Sequence, residues 1–255
     1  MALLTELSSE QHADWKVSPR CAMQVAQTQH ILNIKVPEVG KAISSFPVFF
    51  TKMGNSGTWT ISALASLEID KNLFVEDEVW QATYVPVGLQ TYPFFLMQSP
   101  DDEKKFTVGI EEDNPAFSTE EGEPLFEEKG KAGERLSKAT VLLQDDLKSE
   151  LQTYQFTKRL EELELLSQVD VVVQYTSGTT NSLTGTYTID EAKLQSLDVE
   201  ALNELREKGY LAPIYGMLMS IFQLNGLIRR HNAVDGAERI QQVKVETHKD
   251  RQQSH

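Results

Sequence analysis

Cysteine is almost missing from this chain: Cys21 is the only one in 255 residues. A lone thiol closes no internal disulfide, so nothing demands an oxidising compartment, and its expected place is a small, semi-buried one. Histidine is scarce as well. His12, His30, His231, His248 and His255 include no pair three or four apart, so two imidazoles on one helix face are not expected and no metal ligand set is read. The carboxylate clusters Asp101-Asp102-Glu103 and Glu111-Glu112-Asp113 lack the alternating ligands and central glycine of a calcium loop. Also missing are a Gly-x-Ser-x-Gly elbow, a Walker loop and a Gly-x-Gly-x-x-Gly turn. No catalytic residue is assigned and no cofactor is expected.

Basic residues are outnumbered, 24 against 38 acidic, for a formal net charge of −14. Eleven acidic and two basic residues fall between Asp101 and Glu128, whereas Arg229 to His255 carries six basic and four acidic. A field of that sign repels phosphate backbones and anionic lipid, which argues against nucleic-acid binding. Long apolar runs are missing too. The most apolar region, Ile214 to Ile228, is interrupted by Gln223 and Asn225. It falls short of the roughly 18–20 residues that cross a bilayer, and reads as a buried core helix. Met1 to Lys16 has no basic segment leading into an apolar one, so no secretory signal is expected and the reading is cytoplasmic.

What is present is ordinary globular patterning. His30–Val36, Phe46–Lys52 and Thr58–Leu67 read as strands, the last with Trp59, Ile61, Ala63, Ala65 and Leu67 at period two. Asn72–Glu76 and Trp80–Val85 continue the series, followed by Phe94–Gln98 paired with Phe106–Ile110. Glu111–Gly130 is a loop pinned by Phe117, Leu125 and Phe126. Glu134–Leu166 predicts an amphipathic helix, whole or broken once, whose apolar face carries Leu136, Leu143, Leu147, Leu151, Tyr154 and Leu163. Val169–Tyr175 and Ser182–Ile189 predict a hairpin. Asp190 and Asp198 predict N-caps for two short helices, Gly209 a helix end, and Pro213 a helix start with Gly216 and Ser220 admitting a close neighbour. The fold class is α+β: an antiparallel β meander in the N-terminal half, packed with amphipathic helices and a β-hairpin in the C-terminal half. Residues 1–231 are expected to form one domain and 232–255 a mobile polar tail.

Two motifs invite a function. Tyr175-Thr176-Ser177-Gly178-Thr179-Thr180 matches the start of the phosphate-binding loop of acyl-adenylating enzymes. The next glycine and the lysine that meets phosphate are both missing, so a polar hairpin turn explains it. Trp80, Tyr84, Tyr92, Pro93 and Phe94 crowd a short, proline-bracketed stretch. They are either core or the lining of an aromatic groove for a peptide or small apolar ligand. With Trp80 and Tyr84 on one strand, the groove is the candidate ligand site.

An ordered series of segments resembles the SapC family. It comprises Phe46-Pro47-Val48-Phe49-Phe50, Asn72-Leu73-Phe74-Val75, Trp80 with Tyr84-Val85-Pro86, and Tyr92-Pro93-Phe94. Gly122-Glu123-Pro124-Leu125-Phe126 with Gly130, Gly209-Tyr210-Leu211 and Ser220-Ile221-Phe222-Gln223-Leu224 complete it. The series covers His30 to Arg230. Leu89-Gln90-Thr91 stands where relatives often carry basic residues, which removes any anion site implied there. The resemblance implies no catalytic residues and a link to a surface or outer-membrane protein or its export. A peptide-permease label, applied to some relatives, is incompatible with a chain lacking several apolar spans. The expectation is therefore a non-enzymatic binding or accessory protein with a protein or peptide partner. One alternative is an enzyme using Glu76, Asp77 and Glu78 or Glu111 to Asp113. The other is a homo-oligomer built through residues 213–230.

Overall fold

The computed structural model describes residues 4–100, 102 and 105–247. Six strands form the central sheet: β1 (Ile31–Ile34), β2 (Val48–Met53), β3 (Thr58–Leu64), β4 (Leu166–Tyr175), β5 (Thr180–Ile189) and β6 (Ile240–Thr247). Their order is β6-β4-β5-β2-β3-β1 and every pairing is antiparallel. Two three-stranded ribbons meet in the middle. One comes from the first half of the chain, with Phe50 opposite Ile61 and Ile31 opposite Leu64. The other comes from the second half, with Leu166 opposite Ile189 and Val173 opposite Val243. The ribbons join at one registered pair, Tyr187 opposite Phe50. The α+β reading holds, but the C-terminal hairpin is not a separate feature: it extends the N-terminal strands into one sheet.

The polar tail expected from Asn232 is corrected over 232–247. A helix ends at Asn232, and β6 then alternates Val243, Val245 and Thr247 against Val173, Val171 and Val169. The period-two signal is diluted by Gln241, Gln242, Lys244 and Glu246, which a strand buried on one face tolerates. His231, fully buried, donates from Nε2 to Glu238 O (2.8 Å), while Asn232 holds both backbone groups of Ile240. Residues 248–255 lie outside the described residues.

Three helices frame the sheet: α1 (Glu134–Glu162), α2 (Leu211–Ser220) and α3 (Leu224–Asn232), the last two joined by a 3-10 turn at Ile221–Gln223. Shorter helices include Glu191–Gln195 and Val199–Glu207, capped by the Asp190 and Asp198 side chains on Lys193 N and Ala201 N as expected. Gly209 ends the second with φ +72°.

The apolar interior has two parts. The larger gathers Phe46, Val48, Phe49, Phe50, Ile61, Phe74, Val171, Val173, Ile214 and Leu227 between sheet and helices. The smaller holds Val17, Cys21, Phe94, Ile110, Leu125 and Leu136. It lies under short strands: Thr5–Glu6 with Phe95–Gln98 and Phe106–Ile110, and Lys16–Val17 between Phe117–Ser118 and Glu123–Pro124. The acidic loop is thus anchored by Leu125, as expected. Gly122 lies where a Cβ would come within 2.6 Å of Val17 O, at φ +120°, so the close crossing needs glycine. Helix α1 serves both parts, with Leu136 and Leu143 in the smaller and Phe156 and Leu160 in the larger.

Two helix expectations change. In α1, Leu147, Leu151 and Tyr154 face solvent, and the inward side is Leu136, Ala139, Leu143, Thr153, Phe156, Thr157 and Leu160. Periodicity at three and four places a residue on a face but does not say which face is covered. The segment read as a buried core helix is buried along one side only, by Ile214, Met217, Ser220, Leu224 and Leu227. Tyr215 (46 % exposed), Met219 (67 %) and Phe222 (77 %) point outward. Leu211–Asn232 is also long and apolar enough, by length and composition, to cross a membrane. Gly216 and Ser220 do admit a neighbour. Ile43 lies 3.1 Å from where a Gly216 Cβ would sit, and Ser220 Oγ accepts from Val48 N at 2.9 Å.

Candidate functional site

The five aromatic-groove residues do not share a groove. Trp80 and Tyr84 lie on no common strand. Val79–Trp80 is a two-residue strand opposite Val75–Glu76, and Tyr84 sits in the loop beyond it. The expectation failed because Pro86 and the tight turn at Asp77 and Glu78, both at positive φ, leave no room for extended pairing. Trp80 stacks against Phe46 and Phe74 with centroids 6.1 and 6.3 Å away, and its Nε1 donates to Tyr84 O at 2.8 Å. Tyr84 donates its hydroxyl to the buried carboxylate of Glu38, which also accepts from Val87 N (2.8 Å) and Lys35 N (2.7 Å). Burial first, then the Glu38 carboxylate, pushes the Tyr84 phenol far above its ordinary value. The arrangement is a latch that ties the 84–87 loop to the turn before residue 39.

Tyr92, Pro93 and Phe94 belong to the smaller core. Tyr92 accepts from Asn114 Nδ2 at 3.0 Å, Pro93 follows a cis peptide bond and is buried, and Phe94 packs on Phe117. Nearby, Arg135 donates to Cys21 Sγ (3.2 Å) and to Tyr92 O (3.3 Å). Burial pushes the Cys21 thiol up and Arg135 only partly opposes this, which fits a structural thiol better than a nucleophile.

The carboxylates considered for acid–base work are also placed. Glu76 and Asp77 are exposed at a turn, and Glu78 binds Arg20 and Gln24. Glu112 meets the buried His12 at 3.3 Å, and Glu111 accepts from Asn114 at 3.4 Å. None adjoins the Tyr84 hydroxyl; the carboxylate there is Glu38. Among the described residues no group of three or more His, Cys, Asp or Glu is placed to hold a metal ion.

The concavity with most to offer lies elsewhere. A cleft of about 910 Å³ opens between the C-terminal half of α1, the turn at Val36, Pro37 and Gly40, and the segment from Lys208 to Pro213 that leads into α2. Gln152, Gln155, Lys158 and Arg159 come from α1; Lys208 and Tyr210 face them. The position follows from packing. Tyr210 sets its ring edge-on to Phe156 at 5.1 Å, which brings the start of α2 against α1. Glu204 then bridges the walls, accepting from Arg159 Nη2 (2.6 Å) and Lys208 Nζ (2.7 Å). Those two bonds, Lys208 first, hold the Glu204 carboxyl below its usual range. Lys158 has no carboxylate in ion-pair distance among the described residues and stands 6.0 Å from the Tyr154 ring. At the mouth, the α2 N-terminus has no side-chain cap.

An apolar stripe leaves the cleft along each wall. On α2 and the 3-10 turn that follows it, it runs Ala212, Tyr215, Met219 and Phe222 over about 15 Å. On α1 it is Leu147, Leu151 and Tyr154, ending beside Lys158. Little in the sequence pointed to this site. Its cations are some fifty positions apart, and only their places near helix C-termini, where cations are favoured, gave a signal.

A family model described as SapC matches residues 7–227. No curated protein and no solved structure matches the chain.

Proposed function

Since the chain belongs to the SapC family, whose membership brings no reaction with it, we propose that it is a non-enzymatic accessory protein that holds a segment of a partner protein. The observation that carries this reading is the pair of solvent-facing apolar stripes, Tyr215-Met219-Phe222 and Leu147-Leu151-Tyr154, flanking a cleft in which Arg159 and Lys208 are paired with Glu204 while Lys158 has no carboxylate partner among the described residues. Contiguous exposed apolar surface of this kind marks an interaction site. The fitting segment covers the stripes with apolar side chains and places an acidic one near Lys158, where charge complementarity sets its register. A cytoplasmic helper in the export or handling of a surface or outer-membrane protein suits both that chemistry and the family's name.

Photocrosslinking from position 222 in the native cell tests this, with the exposed Glu200 position as control. The expected result is adducts from 222 that weaken with Lys158→Glu and map to a partner segment of mixed acidic and apolar character. Adducts no stronger than those from 200, or consisting only of further copies of this chain, overturn it.

A further inference from the structure

The floor of the cleft is the 3-10 turn Val36–Glu38 and the short helix Val39–Ala42, set between α1 and the start of α2. It is fixed to both walls. Val36 N donates to Thr153 Oγ1 on α1 at 2.9 Å, and Ile43 packs against Gly216 of α2. In that floor Gly40 is exposed, its φ is not positive, and a Cβ added to it would meet nothing within 4 Å among the described residues. Neither the conformation nor the packing of the chain asks for glycine there, and glycine in a helix costs stability that alanine recovers. We propose that the cleft takes an α-helix of the partner protein, lying across the floor with its closest approach at Gly40. The inference rests on the reading given above and adds the form of the segment that is held.

The helical form follows from the walls. An extended segment needs a row of free backbone groups to pair with, and among the described residues the cleft is lined by helices and turns, with no strand edge. A helix arrives with its backbone already satisfied and presents side chains alone. The stripes Leu147-Leu151-Tyr154 and Tyr215-Met219-Phe222 give it apolar contact on both sides. A glycine beneath it lets the helix axes come to the near end of the roughly 8–10 Å usual for packed helices. Arg159 and Lys208 are held by Glu204, so Lys158 is the cation that meets an acidic side chain of the incoming helix. Gly88 supplies the contrast. It is equally exposed and open, in the short helix Val87–Thr91, but it does not line the cleft.

The test places a photocrosslinking phenylalanine analogue at position 151 or 222 of the full chain in the native cell and repeats the measurement with residue 40 changed. Adducts from the two positions map to one partner segment, on residues three, four or seven apart. Gly40→Leu fills the approach and lowers both yields about tenfold. Gly40→Ala lowers them less and raises Tm by about 2 °C, so binding and stability move in opposite directions. Gly88→Leu leaves the yields unchanged. Adducts on alternate residues of the partner, yields indifferent to Gly40→Leu, an equal loss with Gly88→Leu, or a fall in Tm for Gly40→Ala overturns the helical inference while the accessory reading stands. Absence of adducts from 222 overturns that reading and this inference together.

Discussion

At the scale of single residues, the molecule hides its carboxylates in working hydrogen bonds. Glu38 is the clearest case, with three donors on one buried group. Asp146, on α1 nearby, has no such support. Burial raises its pKa, Lys35 opposes this, and Glu38 adds to it, while Glu150 takes the Lys35 ammonium. A carboxyl raised in the fold favours the protonated form. Its contribution holds below the ordinary aspartate value of about 3.9 and is lost as pH rises through the folded value. Asp146→Asn should therefore raise Tm at pH 7 and leave it unchanged near pH 3. Thermal melts of both proteins across that range check the sign, and a constant offset at every pH would refute it. Local chemistry of the capping kind was readable in advance: Asp190, Asp198 and Gly209 behave as their residue types dictate. The latch of Tyr84 on Glu38 was not, because its members are 46 positions apart and nothing near Glu38 in sequence requires a phenol.

At the scale of elements, α1 shows what periodicity conveys and what it leaves open. The helix itself was legible from Leu136 to Leu163, and it runs unbroken for 29 residues. Its inward face was not, since two apolar stripes wind around it and only tertiary packing chooses between them. Phe156 is sealed against Phe50, with centroids 6.2 Å apart, whereas Leu151 is 57 % exposed. Phe156→Ala should cost about 3–5 kcal/mol. Leu151→Glu should fall within about 0.5 kcal/mol of the parent. Urea denaturation measures both, and a large cost at Leu151 would show that its stripe is covered in the isolated protein. The aromatic segment misled for the opposite reason. Trp80, Tyr84, Tyr92 and Phe94 are neighbours in sequence, but the short helix Val87–Thr91 intervenes and they are divided between two different cores.

At the scale of the whole molecule, α+β was legible because strand and helix patterns segregate along the chain. The joining of two ribbons was not, because residues 50 and 187 carry no mark of their meeting. Two cores share one helix, so they should lose structure together. The three tryptophans report on them separately, with Trp15 packed on the smaller core and Trp59 and Trp80 on the larger. Trp→Phe variants that retain only Trp15, or only Trp80, should show coincident denaturant midpoints. Two separated midpoints would mean that α1 does not couple the cores.

The meeting of the ribbons also fixes how the sheet bears load. Within each ribbon the strands are stitched along their length, but between β5 and β2 a single rung, Tyr187 to Phe50, carries the backbone connection. The other ties between the halves run through side chains: Ser220 accepts from Val48 N, Thr153 accepts from Val36 N, and Phe156 packs on Phe50. Stretched across its width, the sheet tears along this seam, leaving two intact three-stranded ribbons.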